Sequence, residues 1–411
     1  VTTSAPADWQ VGAEGFPAVP FHRASIDEED IDAVVEVLRS GWLTTGPRCR
    51  DFETAFAAHL GGGVDALAVN SCTSGLHLAL EAVGVVAGDL VLVPSYTFTA
   101  SAEVVRYLGA DPVLVDVDPR TGNLTVATIR QAVERLPVAD RERVVALVPV
   151  HFAGLPCEME ELCQLAEQEG WVVVDDAAHA LPATRKGRPI GQWADATAFS
   201  FYATKTLCTG EGGAVVTRRP ELADRMRLMR LHGIDRDVFD RYAALDQWRY
   251  EVVAPGFKYN LGDMAAALGL SQLLRLHDMR DRRAAVAERY GELNAVEGLA
   301  CPPGPDEGDE HAWHLYALRV LDGRRVRDLL VRELAAEGIG ASVHFIPLHM
   351  QPYYRETYSL SEADFPGATE LHGRELSLPL FPDLTRAQVD RVLETVPRAL
   401  ARARRCALRE R

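Results

Sequence analysis

The chain has 411 residues, 47% of them hydrophobic, and a formal net charge of −16. That length allows two or three domains with ample core, and the acidic balance argues against nucleic acid or an anionic membrane as a main partner. Seven scattered cysteines without metal-ligand spacing, no apolar run near the roughly 18 residues that cross a bilayer, and no signal-peptide pattern between Val1 and Pro20 lead us to expect a soluble, reduced, cytoplasmic protein.

In chain order, residues 1–24 are expected as an irregular arm, being small and bearing Pro and Gly. Ser25, with Glu28 three residues on, predicts the N-cap of a helix carrying Ile31, Val34, Val35 and Leu38 on one face. Short apolar, β-branched runs follow at 66–69, 90–93, 112–117, 144–150, 171–175 and 197–201, with helical patterns between several of them. Continuous rather than alternating hydrophobicity predicts strands covered on both faces, hence an α/β domain with a largely parallel sheet over residues 25–260.

The second part, residues 261–411, is predicted as a smaller α+β domain. Its expected elements are a long helical stretch at 263–293, a Pro/Gly/acid-rich loop at 301–310 and a strand at 314–320. A helix to Glu337, a short strand at 342–345 and an amphipathic helix at 383–401 complete it.

Only three lysines occur, at 186, 205 and 258, in a chain that otherwise uses arginine. Lys205 follows the predicted strand in Phe199-Ser200-Phe201-Tyr202-Ala203-Thr204-Lys205, and Thr209-Gly210-Glu211-Gly212-Gly213 closes the segment. Lysine after a strand is ordinarily a solvated surface residue, a job arginine does equally well. A buried lysine, unlike arginine, can shift its pKa far enough to condense with an aldehyde, and Ser200 nearby offers a hydroxyl for a phosphate.

Three other segments fall at predicted strand ends, where ligands gather in open α/β sheets. Asn70-Ser71-Cys72-Thr73-Ser74-Gly75 opens a helix and reads either as an anion site or as an ordinary cap. In Trp171 to His179, the Asp175-Asp176 pair reads as a partner for a protonated ring nitrogen, a Mg²⁺-binding strand end or an N-cap. Phe98, in Pro94-Ser95-Tyr96-Thr97-Phe98-Thr99, reads as a ring that stacks on a flat cofactor or as core.

With Ser40 to Pro47 (SGWLTTGP), Gly256 to Leu261 (GFKYNL), His344 to His349 (HFIPLH) and Leu378-Pro379-Leu380, these segments stand in one order along nearly the whole chain. In that order they resemble the DegT/DnrJ/EryC1/StrS family of sugar aminotransferases, which use pyridoxal 5′-phosphate (PLP). The resemblance implies a fold-type I transferase, with Lys205 as the Schiff-base lysine, Asp176 on the pyridine nitrogen and His179 near the phenolic oxygen. It further implies Phe98 on the ring face, Thr73, Ser74 and Ser200 on the phosphate, and Asn260 reaching the phosphate of a neighbouring subunit in a homodimer with shared sites.

The family's amino donor is expected to be L-glutamate, which leaves pyridoxamine 5′-phosphate (PMP) on the enzyme, and its acceptors are mostly nucleotide-linked keto-sugars. Overall resemblance favours a dTDP-4-keto-6-deoxyhexose, giving a 4-amino-4,6-dideoxyhexose, over a 3-keto sugar or a cyclitol ketone. Segment 218–258 carries more Arg and Lys than Asp and Glu, so Arg230, His232, Arg236 and Arg241 are candidates for the diphosphate, against an ordinary charged helix and loop. His349 is a further candidate substrate contact, and Trp313, His314 and Tyr316 either face the site or form an edge strand. Relatives that dehydrate sugars replace the lysine with histidine, and PLP-fold regulators usually add a DNA-binding domain; Lys205, Asp176 and His179 argue against both. The Arg- and Ala-rich, Lys-poor composition associates the chain with a GC-rich genome and an antibiotic-sugar pathway.

Overall fold

The computed structural model describes residues 19–235 and 250–409. Its strands in chain order are β1 Asp65–Val69, β2 Leu90–Pro94, β3 Asp111–Val115, β4 Val144–Leu147, β5 Val172–Asp176, β6 Thr184–Arg185, β7 Arg188–Pro189, β8 Ala196–Ser200 and β9 Gly213–Thr217. Then come β10 Leu299–Ala300, β11 Tyr316–Val320 and β12 Glu375–Leu378. The large sheet has the order β1-β9-β8-β5-β4-β2-β3. All its pairings are parallel except those of β9, which runs antiparallel to β1 and β8.

Every residue of β2, β8 and β9 is buried, as the unbroken apolar runs require once helices cover both faces. Strand β9 is the one the sequence pattern hides, because its start reads as a glycine turn. Gly213 pairs with Ser200 and Val69, and a Cβ there would lie 2.6 Å from the Phe199 carbonyl oxygen and 2.7 Å from the Cys72 nitrogen. Only glycine lets β9 pass this close to the helix start at Cys72.

The first helix begins later than the Ser25 cap predicts. Asp27 caps Glu28–Ser40 in a reciprocal box with Asp30. Ser25 instead turns its carbonyl to Gln272 Nε2 at 2.7 Å, and Arg275 holds both Asp27 and the buried Asp30. A carboxylate directly ahead of the helix, locked by a distant arginine, outcompetes the serine hydroxyl. The stretch predicted as one long helix is two, Asp263–Leu274 and Leu276–Tyr290, broken at Arg275 with φ −117°. The strand predicted at 342–345 is a single bridge, Ser342 to Ser377.

Two cores organise the chain. The larger surrounds the seven-stranded sheet and takes in Leu261, Ala266 and Leu276 as well as Ala312, Leu348, Phe365 and Leu371. The second joins Val19 to residues from Val286 to Ala407, between the antiparallel sheet β10-β11-β12 and the helices Arg324–Ala336 and Arg386–Arg409. Leu378 of β12 and His344 line a small cavity with Thr204, in the turn after β8, and Phe345 stacks on His179, three residues past β5. No helix among the described residues is long and apolar enough to cross a membrane.

Candidate active site

Successive residues of a strand face opposite ways, and the Asp175-Asp176 pair divides accordingly. Asp175 points into the core, fully buried, 2.8 Å from His151 Nε2. His151 Nδ1 accepts the Cys157 backbone N–H at 2.9 Å, so Nε2 carries a proton on the side that faces the Asp175 carboxylate. Asp176 ends β5 on the other face. Ser101 Oγ donates to its Oδ2 at 2.7 Å, Ala178 N–H donates to its Oδ1 at 3.1 Å, and Cys72 Sγ lies 3.9 Å away.

No ion pair to Asp176 occurs among the described residues. Burial pushes its carboxyl up, although the bonds from Ser101 and Ala178 pull it down. A cation set against it would restore the ionised form.

Lys205 reaches the same spot from the turn after β8. Its backbone N–H donates to the Tyr202 carbonyl at 2.8 Å, and Nζ lies 3.3 Å from His314 Nε2. Burial lowers the amine to about 8; Cys72 and Asp176 raise it and Arg283 lowers it further. Burial also holds His179 and His314 well below 6.5, with the Lys205 charge adding to the effect, so both rings are neutral acceptors. One consequence is measurable: capture of an aldehyde by the cofactor-free protein needs the neutral amine. Stopped-flow absorbance should show the rate of PLP capture rising with pH and reaching half its plateau near 8, where the Lys205 amine is half neutral.

From Lys205 a chain of ring contacts leads outward. His314 lies 4.2 Å from His179 between centroids, His179 stacks on Phe345 at 5.9 Å, and Phe345 lies 6.2 Å from Phe98. Phe98 itself is 59% exposed. Beneath, Arg283 is fully buried and gives Nη1 to the carbonyls of Leu380 at 2.8 Å, His314 at 3.3 Å and Trp313 at 3.4 Å, fixing the loop that presents His314. Burial pushes its guanidinium down to about 10.

The residues expected at a phosphate lie as follows. The helix Cys72–Ala82 starts against Gly213, the first residue of β9, and Thr73 lies in its first turn. Ser71 Oγ caps the Ser74 N–H at 3.1 Å, and Ser74 Oγ donates to Asn70 Oδ1 at 2.5 Å. Ser200 ends β8, and its Oγ accepts the Tyr202 N–H at 3.3 Å. Asn260 bridges to Val69, donates Nδ2 to Thr45 Oγ1 at 2.6 Å and is held by Lys258.

The substrate candidates fare differently. Arg230 is buried, with Nη1 on Glu53 and on the Ala68 carbonyl at 3.0 Å; it ties the helix Pro47–Leu60 to β1 and does not face the site. His349 is buried too, with Nδ1 on Ser95 Oγ at 2.5 Å and Nε2 on Thr369 Oγ1 at 3.1 Å, so both ring nitrogens serve the fold. His232 is exposed at φ 61°. Arg236 and Arg241 lie outside the described residues. Arg230→Ala is expected to cost about 2–4 kcal/mol in urea unfolding, because Glu53 is left without its partner, while PLP binding persists. Ser101 and Arg283 join the site from segments whose local sequence carries no motif for it, and Cys72 and His344 join it from motif segments in which neither residue stood out as a site residue.

A buried, unpaired carboxylate, a partly neutral amine and a helix N-terminus rimmed with hydroxyls fit a flat pyridinium bearing an aldehyde and a phosphate. Fold and site together define a fold-type I, PLP-dependent transferase. The DegT/DnrJ/EryC1/StrS aminotransferase family matches residues 24–397, and the chain belongs to it. It is 44% identical to the spore coat polysaccharide biosynthesis protein SpsC of Bacillus subtilis over 92% of this chain and 96% of that one. Spr1654 of Streptococcus pneumoniae, in its PLP form, superposes with a TM-score of 0.86 and 32% identity over 94% of this chain and 99% of that one. Helicobacter pylori PseC, an aminotransferase involved in the biosynthesis of pseudoaminic acid, superposes with a TM-score of 0.82 and 28% identity over 94% and 99%. The chain is thus a PLP-dependent sugar aminotransferase.

Proposed function

We propose that the chain moves the amino group of L-glutamate to the carbonyl of a nucleotide-linked keto-sugar, best a dTDP-4-keto-6-deoxyhexose, to give a 4-amino-4,6-dideoxyhexose. The observation that carries this reading is Lys205 Nζ held 3.3 Å from a neutral histidine, in a pocket shared with the unpaired Asp176 carboxylate. Bound PLP supplies an aldehyde and an electron sink for the donor's Cα electrons.

In this reading Asp176 would hold the proton of the ring nitrogen, and Lys205, as a neutral amine, would take and carry the donor's Cα proton. His179 would hydrogen-bond the phenolic oxygen, since its buried Nδ1 has no partner among the described residues. Thr73, Ser74 and Ser200 would hold the phosphate, and Phe98 would cover the ring. Asn260 acts across a homodimer with shared sites; the exposure of Phe98 at the site mouth supports a second subunit there.

A groove of about 720 Å³ runs from Phe98 past Phe345, Ile346 and Tyr353. Its size and aromatic wall suit a sugar nucleotide. Incubation with PLP, glutamate and separate 3-keto and 4-keto dTDP-sugars or inosose, read by mass, tests the reading. Amination of the 4-keto sugar is expected. Product from the 3-keto sugar or inosose alone would reassign the acceptor, and no glutamate-driven formation of PMP would end the proposal.

A further inference from the structure

Glu375, the first residue of β12, is completely buried. Its Oε2 accepts the His344 backbone N–H at 2.7 Å, and its Oε1 is 2.5 Å from Ser377 Oγ. Ser377 Oγ in turn lies 2.9 Å from His344 Nδ1. The His344 ring packs on Phe21 and borders a cavity of about 50 Å³ shared with His22, Thr204 and His314. That cavity has room for water and polar groups to hold it, among them the buried His314 Nδ1, which has no partner among the described residues. The other nitrogen of His314 touches Lys205.

We propose that Glu375, Ser377 and His344 form a proton relay that ends at the cavity lined by His314, the histidine in contact with Lys205, and takes up the proton Lys205 must shed to act as a base. The proposal rests on the PLP-lysine reading of the site and adds positioning residues to it. The relay balances with one proton. Lys205 Nζ gives its proton to His314 Nε2 as His314 Nδ1 gives one to a water in the cavity. That water protonates His344 Nε2, the proton on His344 Nδ1 passes to Ser377 Oγ, and the Ser377 proton passes to Glu375 Oε1. Lys205 ends neutral and Glu375 ends as the acid.

Burial lowers Lys205 to about 8 and raises Glu375 to about 8, and both shifts favour passage of a proton from the amine to the carboxylate. For Glu375, bonds from Ser377 and His344 and the Arg327 charge pull the other way. The other charged or titratable neighbours are Arg319, opposite in register on β11, and Tyr96, whose hydroxyl donates to the His344 carbonyl at 2.7 Å. His372 shares Arg327 with Glu375 through its carbonyl, and His344, held near 4 by burial and Lys205, stays neutral throughout.

Protonated Glu375 donates to Ser377, which donates to Nδ1, leaving His344 as the Nε2–H tautomer. Ionised Glu375 reverses both bonds and gives the Nδ1–H tautomer. ¹⁵N-histidine NMR of the full chain, with the His344 signals assigned by their loss in His344→Gln, reads this directly and needs no cofactor. The expected result is a switch from Nε2–H to Nδ1–H as pH rises through about 8, lost in Glu375→Gln and in Ser377→Ala and kept in Ser377→Thr. A single tautomer across that range in the wild type, or a switch that survives both Glu375→Gln and Ser377→Ala, would overturn the relay.

In the PLP-loaded chain, Ser377→Ala should slow the glutamate half-reaction about tenfold and flatten its pH profile. That is less than the ~10²–10⁴-fold contributed by a carrier in direct contact. Ser377→Thr should restore both, whereas a purely structural serine would lower Tm without changing the profile and would overturn the role. Failure of the wild type to form PMP from glutamate would instead remove the parent reading, and the NMR result would stand apart from it.

Discussion

Lys205→Ala is expected to lose repeated turnover, with kcat down by roughly 10³-fold or more, because one atom, Nζ, both anchors the cofactor and carries the proton. No other lysine can substitute: Lys186 is paired with Glu160 at the surface, and Lys258 is held against Asn260. The loss should be chemical rather than structural. The side chain lies in a turn after β8, and among the described residues its hydrogen-bonding contact is one histidine nitrogen. Tm of the cofactor-free variant should therefore change little, and added methylamine should restore part of the half-reaction with glutamate. Unassisted multiple turnover by the variant would show that the proton carrier lies elsewhere.

Asp176→Asn is expected to lower kcat by about 10²–10³-fold, the scale of removing one preorganised electrostatic partner. Its effect on stability should have the opposite sign. The folded-state pKa of Asp176 is raised by burial, so the folded protein holds the carboxyl proton more tightly than the unfolded chain does. Stability from this group is therefore present below the ordinary carboxylate range and is lost as pH rises toward the folded value. At neutral pH the buried carboxylate is a cost, and asparagine removes it while still accepting a hydrogen bond from Ser101 or Ala178. Differential scanning at neutral pH should show the cofactor-free variant melting above the wild type, with the gap closing in acid. A variant that melted lower and kept its activity would mean that Asp176 serves the fold.

The parts of this site that could be read from sequence are those whose chemistry sits at the end of a recognisable strand. Asp176 and Ser200 end β5 and β8, Thr73 opens the helix after β1, and the scarcity of lysine singles out Lys205. What escaped the reading depends on partners far along the chain. Arg230 looks like a phosphate ligand until Glu53 is brought beside it, and His349 looks available until Ser95 and Thr369 bind both its nitrogens.

Ser101 gives no local sign that it will meet a carboxylate 75 residues away. Nor does the alternation Glu375-Leu376-Ser377-Leu378 say more than that its polar side faces something hydrogen-bonding. The same limit hid β9, whose opening glycine is a close approach rather than a turn. It also hid the true cap of the first helix, where Arg275 secures Asp27 and Asp30.

The central claim concerns one amine, and borohydride reduction of the PLP-loaded chain followed by peptide mapping tests it most directly. The account predicts one phosphopyridoxyl group per chain, on the peptide containing Lys205 and absent from Lys205→Ala. Label on Lys186 or Lys258, or none on any lysine, would contradict it.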